Sequence, residues 1–177
     1  ERAGTLNLGP NRRGLALDST YAAAWALRSS LLQSITVFRD SADFGVLRLA
    51  RDAAVRAATL DSTSADAQTE LGSQLFRYDW NWAAADRHLR RGIELSPRRA
   101  QGHTSYARFL RSMGRFDEAA REIDIGSTLD PTVSHAMARA RLAYFARDYA
   151  AGKKYIAAAT PVDRAQRTWV VFNAQIA

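Results

Sequence analysis

The sequence predicts an all-α protein, an α-solenoid of about four helix-turn-helix units with an extra helix at its C-terminal end. Three observations predict it. Leu95-Ser96-Pro97 returns 34 residues later as Leu129-Asp130-Pro131, and a fixed period of about this length is the mark of a stacked helical repeat. The same punctuation stands earlier at Leu60-Asp61-Ser62 and Leu17-Asp18-Ser19. Between the marks lie pairs of Ala-rich stretches with helical periodicity, and such a unit buries its apolar face only by stacking on a neighbour.

Residues 1–20 are expected to form a poorly defined N-terminal segment, the tail of a preceding repeat. Gly9-Pro10-Asn11 reads as a helix break, which leaves Arg12 to Leu17 as the end of an earlier helix. Residues 21–177 are the expected repeat domain, with units at about 21–61, 64–97, 98–131 and 132–161 and a last helix at 164–176. Tyr21 to about Gln33 predicts a helix that buries Trp25, Leu31 and Leu32. The segment Ser34 to Asp43 is polar and reads as irregular. Phe44 to Leu60 is amphipathic, because Leu47, Ala50, Ala54 and Ala57 follow i, i+3, i+7, i+10 spacing.

In the second unit Ser64 or Ala65 opens a helix through Leu71 and Leu75. An aromatic elbow, Tyr78-Asp79-Trp80-Asn81-Trp82, leads to a helix from about Ala83 to Leu95. The third unit predicts a helix from about Arg99 to Met113, ended by Gly114 in the left-handed conformation that glycine tolerates. Asp117 is the expected cap of the next helix, which runs to Leu129. The fourth unit begins near Thr132, turns around Asp148 and ends by Pro161.

Hydrophobic residues make up 47% of the chain, enough for a substantial core, and no apolar run approaches the roughly 18 residues of a membrane span. Cysteine is absent, which excludes disulfides, thiolate zinc sites and a cysteine nucleophile. The formal net charge is +7, and lysine occurs only at Lys153 and Lys154. Abundant Arg and Ala with so little Lys point to a GC-rich bacterial source. A solvated basic surface is the first reading of the charge; an acidic partner or nucleic acid is the second.

These residues resemble the tetratricopeptide repeat family, which implies a right-handed superhelix. With Ala100 as the first residue of the third unit, Tyr106 and Ala107 take the family's large-then-small pair. Gly114, Phe116 and Ala119 fall on its turn glycine, turn aromatic and invariant-type alanine, and Pro131 closes the unit. In the second unit Leu71-Gly72 takes the large-small pair and Ala85 the alanine. Trp25 occupies the opening Trp slot of the first unit, and the fourth matches through Tyr144-Phe145-Ala146-Arg147-Asp148-Tyr149, with its register open by one residue. The elbow together with Arg90-Arg91-Gly92-Ile93-Glu94-Leu95-Ser96-Pro97 is similar to arrays downstream of bacterial signalling modules. That likeness implies the interaction part of a longer regulatory protein whose output domain is not in this sequence.

Enzyme signatures fail. There is no Gly-x-Ser-x-Gly elbow, and Gly152-Lys153-Lys154 lacks the upstream glycine and following hydroxyl of a phosphate-binding loop. His88, His103 and His135 lack the spacing of metal ligands. His103 sits in the family's opening Trp slot, where helix packing is the simpler role. Glu118 and Glu122 share a helix face, but they stand in the first turns, where the helix dipole favours negative charge. Trp80 and Trp82 would stack on a base or sugar; the preferred reading is that they plug the gap between two helices.

In the family, the second, fifth, ninth, twelfth and thirteenth residues of each first helix face the concave groove. The resemblance therefore points to Gln101, Thr104, Arg108, Arg111 and Ser112 in the third unit and to Asp66, Thr69, Ser73, Phe76 and Arg77 in the second. Arg77, Arg108 and Arg111 would select a carboxylate or phosphate, which Arg binds bidentately, and Phe76 would add apolar contact. The Lys and Asn of the family's clamp for C-terminal peptides are missing. The expected function is a non-catalytic, cytoplasmic protein–protein interaction module that binds an acidic protein or peptide segment in the groove. No metal, cofactor or membrane is expected. The alternative is self-association through the terminal helices, above all Trp169-Val170-Val171-Phe172, and nucleic-acid binding ranks last.

Overall fold

The computed structural model describes residues 9–38, 44–131 and 135–159. Among the described residues all regular structure is α-helical, and no helix is long and apolar enough to cross a membrane. The chain divides into two compact units, residues 1–96 and 97–177. The first holds α1 (Gly9–Leu17), α2 (Ala22–Phe38), α3 (Phe44–Leu60), α4 (Ala65–Arg77) and α5 (Trp82–Leu95). The second holds α6 (Ala100–Ser112), α7 (Phe116–Leu129), α8 (Ala136–Phe145) and α9 (Tyr149–Ala157). Consecutive helices pack as pairs: α2 with α3, α4 with α5, α6 with α7, and α8 with α9. The expected helix at 164–176, with Trp169 to Phe172, lies outside the described residues.

In the first unit the buried row of α2 is Ala22, Ala26, Ser29 and Leu32, and that of α3 is Ala50, Ala53, Ala54 and Ala57. Alanine rows let two helix backbones approach closely, so the core is made of small side chains and few large ones. Ala26 and Ala57 also meet Ala67 of α4. A polar contact crosses the same layer, where Gln74 Nε2 donates to Ser29 Oγ at 3.4 Å. Both residues are fully buried, and the bond offsets the cost of removing their polar groups from water.

The Leu-Asp-Ser marks are turns with a physical function. Asp18 Oδ1 accepts from the Thr20 amide at 2.8 Å and from its hydroxyl at 2.6 Å. Asp61 repeats this with Thr63 at 2.9 and 2.7 Å. The hydroxyl first and the amide second hold both carboxyls below their usual range. Ser64 then caps α4 through the Ala67 amide, Asn81 caps α5 through Ala84, and Asp148 caps α9 through Ala151.

The turn between paired helices needs one residue in the left-handed region. Gly114 supplies it at φ 72°, whereas Trp80 at φ 54° and Arg147 at φ 61° occupy it against the steric preference of an L side chain.

Three local expectations are corrected. Gly9-Pro10-Asn11 opens α1 instead of breaking it, because a first-turn N–H has no partner within the helix, so a proline there loses no bond, and its fixed φ suits a helix. The segment from Ser34 is helical up to Phe38, since Ser34 satisfies its hydroxyl on the Ser30 carbonyl at 3.0 Å; residues 39–43 lie outside the described residues. Asp117 is inside the first turn of α7 and not its cap, which is Arg115 without a side-chain bond.

In the α4/α5 and α6/α7 pairs the helices approach each other at glycines. A β-carbon at Gly72 would stand 2.7 Å from Leu89 Cγ and 3.0 Å from the Leu89 backbone nitrogen, and one at Gly92 would stand 2.4 Å from Thr69 Oγ1. At Gly126 the nearest atom, Thr104 Oγ1, is 3.3 Å away. Gly72→Ala is therefore expected to cost about 1–3 kcal/mol through overpacking. Gly126→Ala should stay within about 1 kcal/mol of the native chain, since helix propensity favours alanine by a similar amount. Urea denaturation of the two variants checks this, and equal losses would contradict the crossing geometry.

Candidate functional site

The side chains at matching places in the units follow from these crossings. Thr69 packs on Gly92 and Thr104 on Gly126, and Met137 clusters with Ala159. Arg147 takes the left-handed turn place of Gly114 33 residues on, which makes Met137 the equivalent of Thr104 and Thr69 and removes the one-residue ambiguity of the fourth unit. Arg141 then corresponds to Arg108, Tyr144 to Arg111, and Phe145 to Ser112.

This register sorts the candidate groove residues. Thr69 and Ser73 are buried, at 4% and 2% exposure, and so is Phe76. Thr104 is half-buried against α7, and its hydroxyl bonds to the Ala100 carbonyl at 2.9 Å. Of these residues, Thr69 and Thr104 serve the helix crossing. Gln101 and Ser112 are exposed, and Arg77, Arg108 and Arg111 are half-buried. The Arg77 guanidinium carbon lies 5.9 Å from the ring centroid of Phe76, its neighbour on α4.

On the second unit α6 and α8 pack together, and one contact between them has no counterpart in the sequence pattern. The Arg111 guanidinium carbon sits 5.3 Å from the Phe145 ring centroid, while Phe145 remains 55% exposed. An arginine over an aromatic face is held there by the ring quadrupole. Arg108 stands three residues earlier on α6, on the same face. Arg141 of α8 is half-buried, and burial alone pushes its guanidinium below the ordinary value. The 33-residue step from Arg108 to Arg141 is the sequence signal that locates it.

The remaining candidates have structural partners. His103 is buried, with Nδ1 2.6 Å from Glu122 Oε2 and Nε2 2.9 Å from the Pro97 carbonyl, so it ties α6 to α7. Arg115 takes Glu118 in two bonds of 2.7 Å. The Glu118 and Glu122 carboxylates are therefore committed to different partners. Among the described residues no cluster of three His, Asp or Glu side chains could hold a metal ion.

The aromatic elbow departs from the gap-filling expectation. Trp80 is 70% exposed, and Trp82 meets it edge-on at 5.5 Å. The left-handed backbone at Trp80 accounts for this, since a turn conformation of that hand carries the side chain outward. Asp79 anchors the elbow through both carboxylate oxygens, each 3.2 Å from Arg51 Nε.

No protein-family model and no curated protein sequence matches the chain. Solved structures do. YrrB, described as a TPR protein with an unusual peptide-binding site, aligns over 95% of this chain and 81% of its own at 19% identity and a TM-score of 0.57. A thermophilic TPR protein of Thermus thermophilus aligns over 78% of this chain and 70% of its own, at 18% identity and 0.59. PilF of Pseudomonas aeruginosa covers 93% and 71%, at 16% identity and 0.58. The fold is thus that of the tetratricopeptide repeat, an all-α array of helical pairs.

His88 offers a test of the packing around α4 and α5. Its Nδ1–H donates to Gln68 Oε1 at 2.7 Å, and Gln68 Nε2 donates in turn to the Ser62 carbonyl at 2.8 Å. Burial first and the Arg87 charge second hold His88 below its ordinary value of 6.5. The unfolded chain therefore takes up this proton at higher pH than the fold does. The stability contribution is complete above pH 6.5 and declines as pH falls below it. Urea midpoints should drop less between pH 7 and pH 5 in His88→Gln than in the native chain. An equal or larger drop in the variant would contradict the assignment.

Proposed function

We propose that this chain is a non-catalytic protein–protein interaction module of a cytoplasmic bacterial regulatory or signalling protein. Its α6/α8 face holds an acidic partner segment. The observation that carries the reading is Arg111 laid on the exposed Phe145 ring, a preorganised guanidinium beside an uncovered aromatic surface. Preorganisation lowers the ordering cost of binding, and a guanidinium engages a carboxylate through two parallel bonds. Arg108 from the same helix face and Arg141 from the neighbouring helix extend the positive charge. Gln101 would bond the partner's backbone. On the first unit Arg77, beside Phe76, offers a cation of the same kind. The net charge of +7 favours an acidic partner by long-range attraction. The peptide-binding site named for YrrB supports the reading through likeness of fold.

The test is capture of partners from a lysate of the source organism. Arg108→Glu with Arg111→Glu should abolish capture of the segment held by the native chain. Substitutions at such positions cost about 1 kcal/mol or less, so the melting temperature should fall by no more than about 4 °C. Retained capture by the double variant would contradict the reading.

A further inference from the structure

A cleft lies in the second unit, between α7, α8 and α9. It is half open, with a volume of about 250 Å³, below the roughly 300–1,000 Å³ of sites for whole small molecules and suited to one long side chain. Ile123, Leu142 and Ala143 are among the residues that make its wall apolar, and Asp117, Asp124 and Asp148 line it with carboxylates. Among the described residues the only basic one lining it is Arg139. Three carboxylates against one guanidinium make the cleft negative in a chain of net charge +7.

Arg139 shows what the cleft accommodates. Its guanidinium pairs with Asp124 at 2.8 Å and lies 5.9 Å from the Tyr155 ring centroid, while Nη2 donates to Ser127 Oγ at 3.3 Å. One guanidinium is thus already held between a carboxylate and an aromatic ring. Asp148 accepts the Ala151 amide as the cap of α9, and Asp117 is exposed in the first turn of α7. Neither Asp117 nor Asp148 has a cation within ion-pair distance among the described residues.

We infer that this cleft is a docking site for an arginine side chain of a basic partner segment. The apolar wall covers the methylene stem, and Asp117 and Asp148 receive the guanidinium. Arginine fits better than lysine, because its planar fork matches carboxylates and stacks on aromatic faces. The partner is of opposite charge to the one proposed for the α6/α8 face, so the two surfaces would serve different segments.

The experiment titrates the full 15N-labelled chain with acetyl-arginine amide and, separately, with acetyl-citrulline amide, its neutral isostere. Saturable amide shifts within 117–124 and 139–155 are expected from the arginine compound and not from citrulline. Asp117→Asn should weaken binding about threefold to tenfold with the remaining spectrum unchanged, and Asp117→Glu should restore it. Equal shifts from citrulline, no saturable shift, or undiminished binding by Asp117→Asn would overturn the inference. So would cleft shifts that grow with protein concentration in the absence of either compound, which would assign the cleft to a second copy of the chain.

Discussion

Where α4 meets α5, Gly72 lies so close to Leu89 that a methyl group has no place, and Gly92 stands as close to Thr69. The same crossing recurs as Thr104 on Gly126. This contact between a first-helix residue and a small second-helix residue fixes the rotation of each helix about its axis. Rotation in turn decides which residues face inward. A shift of one residue, about 100° of helix rotation, would bury Arg108 and expose the core residue Ala107. The charged face and the crossing are thus one constraint seen from two sides.

Period, punctuation and most helix bounds are legible in the sequence because they depend on local chemistry. A proline closes a unit, an aspartate accepts the amide two residues on, and a glycine takes a left-handed turn. Depth is less legible. Thr69 and Thr104 look like surface residues by type, yet they sit where paired helices cross on a glycine. Thr104 satisfies its hydroxyl on its own helix, which lets a polar side chain pack as an apolar one does. Arg141 does not stand out in the sequence, because the fourth unit's register is settled once Arg147 is seen in the left-handed turn place of Gly114. Trp80 misleads in another way: ring size suggests burial, whereas backbone hand determines where the ring goes. The expected site at Arg108 and Arg111 rests on family positions, and its neighbour Phe145 emerges only from the packing of α8 on α6.

Charge is distributed on this frame with a consistent logic. Many carboxylates near α6 and α7 are tied down: Glu118 by Arg115, Glu122 by His103, and Asp124 by Arg139. The Arg115–Glu118 and Arg139–Asp124 pairs are partly exposed and contribute little to stability, but all three contacts tie down carboxylates of α7, the helix packed against the one that carries Arg108 and Arg111. The proposed preference for an acidic segment on one face and for an arginine in the cleft follows from the same partition.

The crossing register is tested most directly by proton–proton NOEs in the folded chain. The register predicts contacts from the Thr69 side chain to the Gly92 α-protons and from the Thr104 side chain to those of Gly126, with none from Arg108 to Gly126. Contacts from Arg108, or from neither threonine, would mean that the helices are rotated and that the arginine face does not exist as described.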